Sequence, residues 1–173
     1  MSIYRTSVTI SFFLAIFLIQ ESLVNRIDFF IGGFSLYLAL LFSWLATEEK
    51  GEAFISAFIA GIILDLTPSF DTPVGLWTAT LLLFSYLVST YRESLGDLDE
   101  RPITAALYLV VGTSLSILVY VILSGVLGNS IPPFFTVVRE IAGNGLWTLL
   151  FTPIYFPLVN RMKIRLFALR SAP

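Results

Sequence analysis

Two residue types that carry much of enzyme chemistry are missing from this chain, which has no cysteine and no histidine among its 173 residues. These absences exclude thiol and imidazole catalysis, disulfides and the usual structural zinc sites, and they leave the redox compartment undetermined. Charged residues make up only 13% of the chain and hydrophobic residues 57%, with a mean hydropathy of +0.88. Because so few polar residues cannot cover the surface of a soluble domain, we expect an integral membrane protein that is almost wholly embedded.

The apolar residues come in blocks that approach the ~20 residues a helix needs to cross ~30 Å of hydrocarbon. We predict an all-α polytopic membrane protein, with residues 1–173 forming a single domain of six transmembrane helices at roughly 6–23, 29–47, 53–67, 74–91, 103–127 and 142–160. The first apolar run lacks a small-residue cleavage site, so we interpret it as a retained span and not as a signal peptide. The stretch 131–141 remains open. It is either an interfacial or re-entrant segment or the start of a long, kinked sixth helix.

Two short motifs predict where a helix starts. Asp71 and Thr72 precede Pro73, which predicts a side-chain cap followed by proline at the first helical position. Arg101-Pro102 predicts the start of the fifth helix in the same way.

The basic residues indicate an orientation. If the N-terminus is cytoplasmic, two basic residues, Arg26 and Arg139, lie outside, and eight lie inside: Arg5, Lys50, Arg92, Arg101, Arg161, Lys163, Arg165 and Arg170. The positive-inside rule therefore predicts that both termini are cytoplasmic. The basic tail 161–173 suits binding to the anionic lipids of the cytoplasmic leaflet, although its charges also serve if they do no more than set topology.

Small residues repeat every four positions on three predicted spans: Ser7, Ser11 and Ala15; Ser35, Ala39 and Ser43; and Ala57 with Gly61. Such stripes let helix backbones approach closely, which is the main force for helix association in lipid. Each stripe either packs the protein's own helices or docks a helix of another protein.

Asp65 is a carboxylate close to the end of the third apolar run. An acid in hydrocarbon is costly, so it is normally near the interface, paired or functional. Three interpretations stay open: Asp65 accepts hydrogen bonds from the backbone of the following turn, contacts another protein, or binds a transported ion or proton.

The stretch REIAGNGLW, residues 139–147, places polar residues at the start of the last span. Arg139 and Glu140 are candidates for an ion pair at the outer interface. Asn144, between Gly143 and Gly145, is suited to approach another helix and hydrogen-bond across it, or else marks a locally loosened helix start.

Other functional motifs are lacking. The spans contain no Ser/Lys or Asp/Asp pair and no metal-ligand cluster, so we expect no enzymatic activity, no metal and no cofactor. No glycine-rich phosphate loop and no basic-aromatic surface for nucleic acid is present. The acidic loop ESLGDLDE, residues 93–100, lacks the spacing of an EF-hand, which favours a solvated loop.

Two short motifs resemble the MreD family of bacterial rod-shape-determining membrane proteins. The first joins the third and fourth spans through Gly61, Asp65, Pro73, Gly75-Leu76 and Tyr86-Leu87-Val88. The second is Asn144-Gly145 followed by Leu146-Trp147 in the last span, before the basic tail. Chain length, six spans and cytoplasmic termini agree with the same family.

The resemblance implies a non-enzymatic scaffold in the cell membrane of a bacterium. Its partner would be MreC, whose transmembrane helix would pack against this protein, with the elongation glycosyltransferase and transpeptidase and the MreB filament as more indirect partners. The candidate positions for helix packing or docking are Ser7, Ser11, Ala15, Ala57, Gly61, Asn144, Gly145 and Trp147.

MreD is similar in fold to the substrate-binding S components of energy-coupling factor transporters for vitamins. Such a component docks its coupling subunit through small residues on the first helix, and Ser7, Ser11 and Ala15 fit that pattern. An S component is therefore the alternative function, although the outer loops offer few convergent polar groups for a vitamin.

Overall fold

The computed structural model describes residues 3–67, 73–95, 98 and 101–168, without the side chains of 91–95 and 168. Over these residues the chain is helical and contains no strand, which confirms the all-α class. Its elements in chain order are α1 (Ile3–Ser22), a 3₁₀ helix (Val24–Arg26), α2 (Leu36–Ala46), α3 (Lys50–Asp65), α4 (Leu76–Leu95), α5 (Pro102–Val126) and α6 (Phe134–Ala168).

Two helical stretches in the described part of the chain, Ile3–Arg26 and Pro102–Val126, are long and apolar enough to cross a membrane. In their most apolar windows only 28% and 22% of the residues are buried inside the structure. Large apolar side chains such as Leu18 on α1 and Ile122 on α5 therefore face outward. A helix in the core of a soluble protein would instead be mostly buried.

The shortest α-helix in the described part of the chain, α2, lies at the centre of the fold. It contacts each of the other five α-helices, and nine of its eleven residues are buried. Tyr37, Phe42 and Trp44 are fully buried there. Because α2 is hydrophobic on every side, it suits a position that other helices surround.

The predicted second span, 29–47, is helical only over the eleven residues Leu36–Ala46. The chain before it is extended or bent, and Gly32 has a φ of +57°, in the left-handed region that favours glycine. A Cβ on Gly32 would overlap the carbonyl oxygen of Arg139 in α6. The apolar run is therefore interrupted where it packs against a helix more than a hundred residues away in sequence.

The start of α5 is at Pro102 with Arg101 as N-cap, as predicted. The predicted start of the fourth helix at Pro73 is wrong, because α4 begins at Leu76; Asp71 and Thr72 lie outside the described residues. Gly75, with a φ of +102°, turns the chain directly before the helix, and its carbonyl accepts the Ala79 N–H at 2.9 Å. That turn leaves Pro73 outside the first helical turn.

The stretch 131–141, for which the sequence left two interpretations, lies mostly within one long helix. α6 begins at Phe134 and continues for 35 residues, about 52 Å at 1.5 Å per residue. Pro153 and Pro157 lie inside it, and each removes one backbone donor from the helical ladder.

The helices alternate in direction, so the fold has two polar ends. We call the end that holds the start of α1, the α2–α3 connection and the last turns of α6 the terminal end. The far end holds residues 23–35, the end of α3 and the starts of α4 and α6. Candidate site residues occur at both.

Candidate functional sites at the two ends of the helical bundle

Asp65 joins the end of α3 to the start of α4 at the far end. Its Oδ1 accepts the Trp77 N–H at 2.9 Å, and its Oδ2 accepts the Thr78 N–H at 3.1 Å and the Thr78 hydroxyl at 2.6 Å. The first backbone N–H groups of a helix have no partner within the helix. Asp65 therefore caps α4 from a neighbouring helix, which is the geometry that a turn-fixing carboxylate requires.

Gly61 lies one turn before Asp65 at the closest approach of α3 and α4. A Cβ on Gly61 would overlap the Thr78 Cα, so only glycine allows this spacing. Ala57, one turn earlier, is fully buried. The Ala57/Gly61 stripe thus packs inside this protein, and the same contact brings Thr78 within reach of Asp65.

A second far-end site is built by α6 on the extended chain before α2. Glu140 accepts the Gly33 N–H at 2.8 Å, Asn144 accepts the Ser35 N–H at 2.8 Å, and Trp147 donates to the Ile31 carbonyl at 3.1 Å. The spacing of four and three places these three side chains on one face of α6. They satisfy backbone groups that would be helical partners if 29–35 continued α2.

The glycines around Asn144 have separate tasks. Gly143 lies so close to the backbone of Ile31 and Gly32 that a Cβ would overlap both, whereas Gly145 faces Ser114 of α5. Asn144 therefore bonds to an extended segment and not across to another helix. The predicted ion pair of Arg139 with Glu140 does not form between these two described residues, since the carboxylate binds Gly33.

Gln20 of α1 completes the grip on this segment from the other side. Its Nε2 donates to the Phe34 carbonyl at 3.1 Å, and its Oε1 accepts the Tyr37 N–H at 3.3 Å. The side chain of Ser35 accepts the Leu38 N–H at 3.2 Å and caps α2. We call residues 27–35 with these partners the clamped segment.

The terminal end is held by charges. Glu48, in the α2–α3 connection, is 1% exposed and accepts the Trp44 indole N–H at 2.8 Å and the Ser56 hydroxyl at 2.5 Å. Lys163 of α6 lies 3.6 Å and Arg5 of α1 3.7 Å from the same carboxylate. Four parts of the chain therefore meet on one buried anion.

Both cations have further partners. Lys163 donates to the Trp44 carbonyl at 3.0 Å and the Thr47 hydroxyl at 2.7 Å, while Arg5 pairs with Glu52 at 2.5 Å. Burial lowers the pKa of the Lys163 ammonium, and the Glu48 carboxylate opposes that shift. Two acids and two bases make the set neutral, which lowers the cost of burying it. We call Arg5, Glu48, Glu52 and Lys163 the ionic cluster.

Sequence reasoning missed the ionic cluster, since it used Arg5 and Lys163 only to set topology and assigned no role to Glu48 or Glu52. A usable signal was present in Glu48, an acid two residues after the apolar run that ends at Ala46. The sequence did not indicate the partners of Glu48, because Arg5 and Lys163 are distant from it along the chain.

The remaining small-residue stripes differ in exposure. Ala39 and Ser43 on α2 are buried, with Ser35 at the start of that helix half-buried. Ser7, Ser11 and Ala15 on α1 are all exposed, on the face opposite its buried residues Thr9, Phe13, Ile16 and Gln20. Among the stripes, the one on α1 is thus open to a partner or to lipid.

The described residues contain no group of three or more acidic side chains that could hold a metal ion. Comparison of the chain with protein-family models, with characterised proteins and with solved structures finds no match.

Proposed function

We propose that this chain is a non-enzymatic membrane scaffold of the MreD type, which binds the transmembrane helix of MreC and supports lateral peptidoglycan synthesis in a bacterial cell membrane. The observation that carries the proposal is the α3–α4 hairpin. Three residues of the MreD-like motif shape the start of α4: Gly61 lets α4 approach, Asp65 caps it, and Gly75 turns the chain before it.

The proposed topology has six spans with both termini in the cytoplasm. At 11 residues α2 is about 16 Å long and does not cross ~30 Å of hydrocarbon alone. The clamped segment would complete this crossing. Non-helical backbone is tolerated at membrane depth where protein buries it, and Glu140, Asn144 and Gln20 bind its backbone groups.

The proposed docking face for MreC is the Ser7/Ser11/Ala15 stripe. The other candidate positions are used internally: Ala57, Gly61, Asn144 and Gly145 are buried, and Trp147 is bonded to Ile31. The α1 stripe is exposed over two turns, and the large side chains of Leu14 and Leu18 flank it. Small residues beside large ones form a groove that another helix can enter.

Co-purification tests the docking face. Ser11→Leu combined with Ala15→Leu should leave the thermal stability of the purified protein unchanged while MreC recovery from native membranes drops several-fold. Ala79→Leu, at an exposed small residue of α4, is the matched control and should keep MreC. Unchanged MreC recovery with the α1 variant would contradict the proposed face.

Topology is tested by labelling, which the natural lack of cysteine makes clean. In intact cells, Ser130→Cys should react with an impermeant thiol reagent and Gly51→Cys should react only after the membrane is opened. The reverse pattern would contradict cytoplasmic termini.

The second candidate is an S component of a vitamin transporter, because the exposed α1 stripe would serve equally to dock a coupling subunit. Mass spectrometry of the protein purified from native membranes discriminates the two. A co-purifying coupling subunit with a bound vitamin would favour the transporter, and MreC without a small molecule would favour the scaffold.

A further inference from the structure

A groove at the terminal end is lined by α6 and the start of α5, away from the ionic cluster. One cavity of about 440 Å³ lies between Pro102 and Ala106 of α5 and Pro157 and Arg161 of α6. A second, of about 670 Å³, continues along α6 past Arg161 to Arg165. Pro157 and Arg161 line both, so the two cavities adjoin at these residues, and we call them together the groove.

The groove exists because small and ring-shaped side chains face each other across it. Ala105 and Ala106 on α5 oppose Pro153 and Pro157 on α6. None of these side chains is long enough to fill the space between two helices, which usually pack without voids larger than a water molecule.

The two arginines of the groove are available to a ligand. Arg161 and Arg165 are exposed, lie one turn apart on the same face of α6, and form no ion pair with any described residue. Of the other cations near this end, Arg5 and Lys163 are engaged by Glu48 and Glu52. Arginine binds phosphate oxygens through two parallel N–H groups, so this pair suits a phosphate.

The same face of α6 is apolar on the other side of the arginines. Ile154 and Leu158 are 65% and 60% exposed and line the second cavity together with Arg161 and Arg165. Two apolar residues at hydrocarbon depth, followed by two cations beyond the predicted span, match the order of acyl chain and phosphate in a phospholipid. A soluble phosphate ester would leave the apolar surface of Ile154 and Leu158 uncovered.

We propose that Arg161 and Arg165 bind the phosphate of an anionic phospholipid whose acyl chain lies along Ile154 and Leu158. This site rests on the membrane placement in the proposed function, but it does not depend on MreC. The bound lipid would cover the apolar face that Ile154 and Leu158 expose on α6.

The test uses the purified full chain in phosphatidylcholine nanodiscs containing increasing fractions of phosphatidylglycerol, with bound lipid counted by native mass spectrometry. R161Q/R165Q should weaken phosphatidylglycerol binding roughly thirtyfold, which corresponds to about 1 kcal/mol for each of the two lost arginine–phosphate contacts. R26Q/R139Q removes two exposed arginines from the far end and is the charge-matched control, for which binding should stay within about twofold.

A second variant, I154N/L158N, removes the exposed apolar lining of the second cavity and leaves the charge unchanged. It should also weaken lipid binding, which keeps the proposal testable if R161Q/R165Q is poorly folded. Equal loss in R161Q/R165Q and R26Q/R139Q, or full binding in I154N/L158N, would overturn the site in favour of general surface attraction. Competition by millimolar inorganic phosphate would identify a free-phosphate site and also overturn it. A failure of MreC docking with lipid binding intact would contradict the proposed function and not this site.

Discussion

The two ends of this protein are held together by different chemistry. At the terminal end, side-chain ions bind one another, with Glu48 between Lys163 and Arg5. At the far end, side chains bind backbone: Asp65 takes the first N–H groups of α4, and Glu140 and Asn144 take those of the clamped segment. A charged side chain is buried at low cost only beside an opposite charge, whereas non-helical backbone needs hydrogen-bond partners in fixed positions. Polar side chains therefore neutralise buried charges at one end and bind backbone N–H groups at the other.

The largest effect is expected at the ionic cluster. In Glu48→Ala the buried ammonium group of Lys163 loses its carboxylate partner. Removing one partner of a buried pair costs ~3–5 kcal/mol. Thermal unfolding of the purified protein in detergent measures the loss. Glu49→Ala is the matched control, since Glu49 is exposed and should change stability by no more than ~0.5 kcal/mol. Similar losses in both variants would show that the terminal end is not held by a buried pair.

The next effect is steric and belongs to the far end. Gly61→Leu forces a side chain into the Thr78 backbone, and overpacking costs ~1–3 kcal/mol. Gly51→Leu, on the same helix, has open space around the new side chain and should leave stability unchanged or slightly higher. Unfolding of the two variants under identical conditions makes the comparison. Equal stability would mean that α3 and α4 can separate freely.

A comparable but more graded effect is expected at Asp65. Asp65→Ala removes the acceptor of two backbone N–H groups, at roughly 1–3 kcal/mol for groups left unsatisfied. Asp65→Asn keeps one acceptor oxygen and should lose less than half as much. In cells, Asn should preserve rod shape and MreC association, while Ala weakens both at matched membrane levels. Asn failing as badly as Ala with normal expression would favour an ion or proton site, where charge itself matters.

The smallest effect is expected at Glu140, whose hydrogen bond is exposed, in comparison with the buried hydrogen bond of Asn144 on the same helix. Glu140→Ala loses an exposed bond to Gly33, which water replaces, so we expect a change of about 0.5 kcal/mol. Asn144 is 2% exposed, and Asn144→Ala strands the Ser35 N–H away from water at about 1–3 kcal/mol. Amide hydrogen exchange at residues 33–36 should accelerate more in the Asn144 variant. The opposite order would show that the clamped segment depends on charge.

Local sequence predicted the parts of the fold that depend on neighbours along the chain. Arg101-Pro102 starts α5 because proline suits the first helical turn whatever surrounds it. The helix predicted from residue 29 fails for the opposite reason. Nothing between Phe29 and Ser35 except two glycines distinguishes that stretch from the helix after it, and its partners Glu140 and Asn144 lie over a hundred residues away.

The same division applies to the candidate sites. Asp65 could be singled out because an acid next to hydrocarbon is expensive, although its acceptance of the Trp77 and Thr78 N–H groups depends on the α3–α4 contact at Gly61. The ionic cluster could not be assembled, because charge alone does not show that Arg5 and Lys163 meet at Glu48. The three stripes of small residues looked alike in sequence, and only packing separated the exposed one on α1 from the buried ones.

Composition by itself determined that the chain has apolar surfaces, since a mean hydropathy of +0.88 leaves too few polar residues for any other exterior. The length of the apolar blocks predicted that the chain is helical. Proline and the apolar blocks determined most helix positions. The tertiary structure alone decided where helix gives way to extended chain, which charges are buried and which small residues remain open. These outcomes depend on contacts between residues far apart in sequence, such as Glu48 with Lys163, whose free energy exists only once the helices have packed.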